Sequence, residues 1–531
     1  MFLYRVRILI TFYFKALKDY FYNQKDLLFF FSKIKNIYTI KKNQVILFDH
    51  FNVTNFQLIR LIFLIFLAKF YNSKIVCFNY KFNIFFYKIY KFLNIEVINY
   101  NNYFISEKYN SLINKTYSRV LKNIKNKNDV FNIRLFGLDI GIDIYETYLL
   151  RLREPTLEFT NKKFKILLKK TVEKLYFWKF FFKKYDVKAV NISHRDYTDT
   201  NIVCKIAYQK KIKVYTFGGQ LTRISRFLNP DRDLCKFYKK YFDNLSKNKK
   251  NEAINLSKKR LALRFKGKVG VDMNYSTKSA FHANYSNQSV FFNQVSSNNV
   301  RVLICTHCFY DNPHAYGGNL FLDFYEWLLF LGKASEKTNY DWHIKPHPDY
   351  LPGTIEIIKS IINQFPKIKL IPPETSFFYL KKIGINFALT VYGSIAHELP
   401  FLGIDVINAD KFNPHCSFNF SYTPKNIKDY EKVILNLNNY KSLIKNKNDI
   451  YKFYYIYHYF IHKKNIFFKN HRLFLNNYNK NKTYFIKYFI RDINNKRLKI
   501  IERDLFSYFS SKNKYLINSY AQKITLKFDK L

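Results

Sequence analysis

The sequence predicts an α/β protein of two domains, each a parallel sheet covered by helices, with a basic helical region at the carboxyl end. Three observations lead there. At 531 residues the chain exceeds what one hydrophobic core fills, since chains divide into domains before about 300 residues. Short β-branched runs alternate with helical stretches along the chain, the pattern of strand–helix–strand units whose parallel strands are buried on both faces. Apolar residues make up 48% and aromatics 20% of the chain, too many for a disordered segment. Charge nevertheless interrupts every apolar run before the ~20 residues that a membrane helix needs.

The elements follow in order. Arg5 and Arg7 precede a short apolar run in Met1–Phe14, but Lys15 and Lys18 interrupt it and no leader peptide is expected. Val45–Phe48 is a strand, Asn55–Tyr71 a helix and Lys74–Phe78 the next strand. The apolar centre of that helix, Leu61–Ala68, is bracketed by Arg60 and Lys69 and reads as buried. A clearer unit follows: the strand Ala189–Ser193, a helix over Asn201–Gln209, then the strand Lys213–Phe217 ending in Gly218 and Gly219. In such open sheets ligands sit beyond the carboxyl ends of the strands. The basic helix Glu252–Lys266 leads into an Asn- and Ser-rich stretch, read as a linker.

A second α/β unit begins at Arg301. Its strands are Val302–Cys305, His343–Lys345, Ile368–Ile371, Phe387–Val391 and Asp405–Asn408, with helices over Leu320–Lys337, Thr354–Phe365, Ser376–Ile383 and Ser394–Leu402. Beyond Tyr422 the chain is helical and basic. The expected divisions are thus 1–275, an amino-terminal α/β domain on the acceptor side; 276–299, the linker; 300–422, the second α/β domain; and 423–531, the basic region.

Charge narrows the functional classes. Lys and Arg total 89 against 38 Asp and Glu, a net +51. Residues 1–300 carry +35 and residues 421–531 carry +17, whereas residues 301–420 carry −1. The abundance of Lys, Asn, Ile, Phe and Tyr is that of A/T-rich codons, so part of the charge is compositional drift that the neutral segment has resisted. Chemistry is expected there. Neither an aromatic RNA-binding stripe, zinc-finger spacing nor a long basic helix is present, and nucleic acid is not an expected partner. Six scattered cysteines point to a reducing compartment, the cytoplasm. Cys305 and Cys308 form a C-x-x-C with no second pair, and no metal is expected.

Within the neutral segment, Lys345-Pro346-His347-Pro348 ends a strand, and its prolines fix the backbone so that Lys and His leave in defined directions. A cation and an imidazole there suit a phosphate. Phe387–Val391 runs into Tyr392-Gly393-Ser394 and a helix carrying His397 and Glu398. Gly393 permits the turn, Ser394 and the free N–H groups of the helix start suit an anion, and Glu398 can reach a ribose hydroxyl. The alternative is that Ser394 is a plain N-cap and Glu398 a solvated helix residue. Asp311 and His314, around Pro313 on the rim after the first strand, fit a general base and a phosphate contact, or else an ordinary Asx-Pro turn. In the first half, Asp143, Glu146, Arg151 and Arg153 cluster after a glycine turn, and His194 and Asp196 follow a strand. These are acceptor-side candidates, the arginines being suited to an anionic glycan or phospholipid-linked sugar.

The run His307–His314, the helix Leu320-Phe-Leu-Asp-Phe-Tyr-Glu-Trp327, the phrase Trp342-His-Ile-Lys-Pro-His-Pro-Asp349 and the phrase Val391-Tyr-Gly-Ser-Ile-Ala-His-Glu398 through Gly403 occur in this order and spacing. Over Arg301–Ala409 the chain resembles the bacterial capsule and surface-polysaccharide biosynthesis proteins. That group includes Kdo transferases of GT-B fold that use CMP-activated sugar. Gly141–Tyr148 and Val190–His194 look like the group's amino-terminal counterparts. The resemblance implies two Rossmann-like domains facing a cleft. It further implies that Lys345, His347, Gly393, Ser394 and Glu398 hold the donor nucleotide and that Asp311 and His314 face the cleft. Where many relatives carry a small-residue helix, this chain reads Leu399-Pro400-Phe401-Leu402-Gly403, and Pro400 should shorten or kink that helix.

The expected function is therefore a metal-independent glycosyltransferase. It would move a sugar from a nucleotide donor, such as CMP-Kdo, to a growing surface polysaccharide or lipid-linked acceptor. The nucleotide sugar is a co-substrate and no further cofactor is expected. Such an enzyme would work in the cytoplasm or at the cytoplasmic face of the inner membrane, where the basic tail could meet anionic lipid. The alternatives are a polyol-phosphate transferase of cell-wall synthesis, or a non-catalytic polysaccharide-binding or assembly protein.

Overall fold

The structure is a computed structural model that describes residues 25–35, 41–98, 107–218, 223–227, 235–273, 277–281, 299–442, 447–460, 466–467 and 482–516. The expectations for Met1–Phe14 and Gly219, and most of the expected linker, lie outside these residues. Fourteen strands are described: β1 (Lys41–Asp49), β2 (Ser73–Phe78), β3 (Glu96–Val97), β4 (Arg134–Leu135), β5 (Leu138–Asp139), β6 (Asp186–Ile192), β7 (Lys213–Gly218), β8 (Arg223–Phe227), β9 (Arg301–Cys305), β10 (Asp341–Lys345), β11 (Ile368–Leu370), β12 (Phe387–Thr390), β13 (Asp405–Asn408) and β14 (Tyr515–Leu516). They are distributed over two compact α/β units, as expected of two Rossmann-like domains, but the chain divides differently between them.

Unit 1 draws on Met1–Leu121, Leu168–Pro230 and His462–Gln522. Its sheet has the order β14-β8-β7-β6-β1-β2-β3. The central pairs are parallel, β8 runs antiparallel to β7, and β14 runs antiparallel to β8. The helix Thr54–Tyr71 is apolar nearly all round and is correspondingly buried, from Leu58 to Ala68 without interruption. By length and composition it could cross a membrane, but 72% of it is buried inside the unit.

Unit 2 draws on Lys122–Leu167, Asp231–Ile461 and Lys523–Leu531. Its sheet is wholly parallel in the order β11-β10-β9-β12-β13. Its strands are three to five residues long, and Trp327, Trp342 and Tyr430 fill the core around them.

Three expectations about domain limits need correction. Residues 122–167 belong to unit 2 rather than to the amino-terminal domain, because the helix Gly141–Leu152 is bonded there: Tyr145 donates to Asp323 at 2.6 Å, and Glu146 accepts the His314 N–H at 3.0 Å. The boundary does not fall at 275. The helix Lys247–Phe265 is part of unit 2, where Phe265 stacks on Phe401 at 4.7 Å.

Nor is 423–531 one appendage. Residues up to 461 stay in unit 2, where Phe453, Tyr454 and Phe460 are buried. The helix Asn495–Ser510 lies in unit 1, where Phe509 packs against Phe63 at 5.4 Å. Among the described rings of this region, Phe453, Tyr454, Tyr455, Phe460, Phe489, Tyr508 and Phe509 are core residues, because an aromatic face gains more from an apolar neighbour than from water.

Candidate functional site

In the five-stranded sheet of unit 2, β9 comes first in the chain; β10 and β11 are laid on one side of it and β12 and β13 on the other. The direction in which successive strands are added thus reverses between β9 and β12, and the loops after these parallel strands part to leave a crevice at the carboxyl edge. A pocket of about 260 Å³ opens there. Lys345 at the end of β10 with Pro346 and His347 after it, Thr306 and His307 after β9, and Thr390 at the end of β12 with Gly393, Ser394 and Glu398 after it all line it.

Lys345 is 2% exposed; its Nζ donates to the Pro373 carbonyl at 2.6 Å and lies 5.0 Å from the Phe377 ring centroid. Burial lowers its ammonium pKa to about 8. Of its three N–H groups, the carbonyl takes one. His347 accepts the Asp349 backbone N–H on Nδ1 at 3.0 Å, so the neutral ring carries its proton on Nε2 as a donor.

His307 was not singled out from the sequence. Its ring stacks on Phe324 at 4.6 Å, and its Nε2 accepts the Val391 N–H at 3.1 Å while pairing with Thr390 Oγ1 at 2.9 Å. Burial pushes its pKa down to about 3, so the ring is neutral with its proton on Nδ1. His307 ties β9 to the β12 turn, and its place after a strand end was the available signal. A side-chain carbon at Gly393 would come within 2.8 Å of Thr390 Oγ1, so only glycine lets the turn close this tightly.

The helix after that turn is one turn long, Ile395–Glu398, and passes into a 3-10 turn over Pro400–Leu402, the shortening expected from Pro400. Its dipole is correspondingly small, and the anion-attracting charge comes from side chains instead. Ser394 caps no backbone group with its hydroxyl, which donates to Glu398 Oε2 at 3.3 Å. Glu398 is 2% exposed and ion-paired with Arg264, so it is not a solvated helix residue. Arg264, far away in sequence on the helix Lys247–Phe265, gave no local signal. With Arg264, Lys268, Lys278 and Lys345 against Glu398, cations predominate in the lining.

The remaining candidates lie elsewhere. Asp311 and His314 do not line the pocket. Asp311 is exposed, in a turn where its N–H bonds the Cys308 carbonyl at 3.2 Å. His314 is buried; its Nε2 bonds the Leu322 carbonyl at 3.0 Å and its ring meets Phe131 at 4.9 Å, as a packing residue does.

Asp143, Glu146, Arg151 and Arg153 sit in unit 2 and not in the amino-terminal unit. The two acids are buried and the two arginines exposed, with Arg153 5.6 Å from the Tyr310 centroid. Only His194 and Asp196 are in unit 1, after β6, where Asp196 precedes the helix Tyr197–Gln209.

No protein-family model matches the chain, and no curated protein matches it. Among solved structures, a glycosyltransferase from Rickettsia africae is similar over 87% of this chain and 99% of its own, at 11% identity and a TM-score of 0.23. The UDP-GlcNAc 2-epimerase of Neisseria meningitidis, bound to UDP-GlcNAc, is similar over 77% of this chain and 97% of its own, at 11% identity and a TM-score of 0.22.

Proposed function

We propose that this protein is a glycosyltransferase whose unit 2 binds the nucleotide of an activated sugar. The observation that carries the reading is the convergence of Lys345, His347, Ser394 and Glu398 on one cation-rich pocket at the reversal point of a parallel sheet. Lys345 and His347 supply N–H donors to phosphate oxygens, and Arg264, Lys268 and Lys278 add positive charge around them. In sugar transfer the bond from the anomeric carbon to a phosphate oxygen breaks and the nucleotide departs with the electron pair. Fixed cations at that oxygen stabilise charge that develops only as the bond breaks, which is where stabilisation raises the rate.

The resemblance of the motif order to that of capsule and surface-polysaccharide proteins supports a growing surface glycan or lipid-linked sugar as acceptor, and a cytoplasmic place of work. Isothermal titration with CMP, UDP, GDP and CDP compounds tests the reading. Binding of one nucleotide class, lost in His347→Ala with the fold intact by circular dichroism, is expected. Absence of binding by all four overturns it.

A further inference from the structure

Three histidines from distant segments of unit 2 meet in and behind the wall of the pocket. His397 follows the β12 turn, and His415 lies in the loop after β13. His458 belongs to a π-helical turn over Ile456–Phe460, a form of backbone that recurs at functional sites. His397 Nδ1 and His415 Nε2 are 3.1 Å apart, and the His397 and His458 ring centroids are 6.4 Å apart. His397, His415 and Tyr457 line the pocket. Phosphate binding as read above uses none of the three imidazoles.

The cluster suits neutral rings only. Phe453 lies 5.0 Å from His397 and 4.5 Å from His415, and Tyr454 lies 4.4 Å from His458, centroid to centroid. The bond between His397 and His415 holds one proton, and a second would set N–H against N–H. Among the described residues, His397 Nε2, His415 Nδ1 and His458 Nε2 are buried without a hydrogen-bond partner, so an imidazolium there would also bury an unsatisfied donor.

The nearby charges do not help. Arg260 and Arg264, from the helix Lys247–Phe265, both oppose a proton on His458, and Arg264 opposes one on His397. Asp272 is the carboxylate nearest in effect to His458, but it accepts Arg260 Nε at 3.0 Å and Nη2 at 2.9 Å and the Tyr454 and Tyr459 hydroxyls at 2.7 Å each. Those bonds fill the roughly four lone-pair sites of a carboxylate. Glu398 is engaged by Arg264 and Ser394. In the loop of His415, Asp410 accepts the Phe412 N–H at 2.7 Å, and burial pushes the Cys416 thiol up to about 12. Asp449 and Lys452 pair with each other at 2.7 Å, and Tyr316 pairs with Tyr457 at 3.2 Å. The helix Tyr238–Asp243 presents the Tyr241 ring, stacked on Phe460 at 5.8 Å.

Burial accordingly lowers all three imidazole pKa values, that of His458 to about 4 and that of His415 to about 3. A ring released from the cluster returns to about 6.5. The hold of the cluster is therefore full above about pH 6.5 and is lost as pH falls from there toward the lowered values. What the rings hold is the segment Lys447–Phe460. Its Tyr454, with Tyr459, braces Asp272 and through it Arg260, one helical turn from Arg264.

We propose that His397, His415 and His458 form an acid-released clasp that couples the pocket of unit 2 to pH. At neutral pH the uncharged rings keep Lys447–Phe460 against the pocket wall. On mild acidification they take up protons, the segment comes away, and the pocket loses Tyr457 and the support of Arg264. The clasp stands on the cluster itself, whereas its effect on nucleotide rests on the reading of unit 2 given above.

Hydrogen exchange of the full-length protein, read by mass spectrometry at pH 7 and pH 5 and corrected for the intrinsic pH dependence of exchange, tests the clasp. Peptides covering Lys447–Phe460 should lose protection by about 20-fold or more, the share of His458 alone between those values, and regain it at pH 7. Asp272 stays ionised over this range, since its bonds to Arg260 and the two tyrosines outweigh burial and keep its pKa low. His458→Phe should remove about that factor from the response, and His397→Phe in the same chain should remove more. Unchanged protection of the segment at pH 5, or a wild-type response in folded His458→Phe, overturns the proposal. If His458→Phe does not fold, the wild-type profile decides: protection lost equally over β9 and β12, which His307 ties together, places the acid response elsewhere and overturns it as well.

With a nucleotide that calorimetry finds to bind at pH 7, affinity should fall at pH 5 further in the wild type than in His458→Phe, and an equal fall in both overturns the coupling. If no nucleotide binds at pH 7, the reading of unit 2 fails, and exchange still decides the clasp.

Discussion

Replacing Lys345 by Ala should weaken nucleotide binding without unfolding unit 2. The residue is 2% exposed, and the Pro373 carbonyl occupies one of its ammonium donors. A charge-assisted hydrogen bond to a phosphate oxygen is worth about 1.5–3 kcal/mol, which corresponds to about 10- to 100-fold in Kd.

The same residue should impose a pH dependence. Its pKa in the free protein is lowered to about 8 by burial, and a bound phosphate favours the charged form. Affinity is therefore level on the acid side of that value and falls by up to about tenfold per pH unit on the alkaline side, as the free protein loses the proton that binding requires. Lys345→Arg, which stays protonated, should flatten the profile. Calorimetric titration between about pH 7 and 9.5, above the second pKa of a phosphate, measures both effects. A Kd for Lys345→Ala within about threefold of wild type, or a wild-type Kd indifferent to pH over that range, would refute the assignment of Lys345 to the phosphate.

Other outcomes follow from the same geometry. Glu398→Ala takes the carboxylate from the half-buried Arg264, which keeps its bond to the Val271 carbonyl, and should destabilise the protein by about 2 kcal/mol in urea unfolding; a change under about 0.5 kcal/mol would mean that the pair is solvated. Gly393→Ala should cost about 1–3 kcal/mol through contact with Thr390 Oγ1, and Thr390→Ala in the same chain should recover part of it; no recovery would place the strain elsewhere. His314→Ala should lower stability while leaving nucleotide affinity unchanged, since its ring packs on Phe131; loss of affinity at unchanged stability would return it to the site. Because the apolar faces of Lys447–Tyr455, Ile456–Phe460 and Asn495–Ser510 are turned inward, any membrane contact of these segments is electrostatic. The protein should sediment with anionic but not neutral vesicles at low salt and come off near ~0.5 M salt, and salt-indifferent binding would contradict this.

The elements themselves were legible in the sequence because their signals span only a few residues. Asp405–Asn408 is a strand over the residues expected, the β9, β10 and β12 runs differ from expectation by one or two residues, and Pro400 ends its helix as its missing N–H requires. The strand ends in turn placed Lys345, His347, Gly393 and Ser394 on one rim, since parallel strands all carry their carboxyl ends to the same edge. What the sequence could not supply was partnership between distant segments.

Nothing near Glu398 announces Arg264, nothing near Asp49 announces Ser193, and nothing in residues 122–167 says that Tyr145 and Glu146 will bond to unit 2. Nor does an alternation of Lys and aromatic residues, as in the tail, say what will cover the apolar face that it specifies. Tertiary structure decided these points. A buried charge must find its counter-charge and an apolar face its cover wherever the folded chain provides them, and that choice is made by burial summed over the whole chain rather than by the residues alongside.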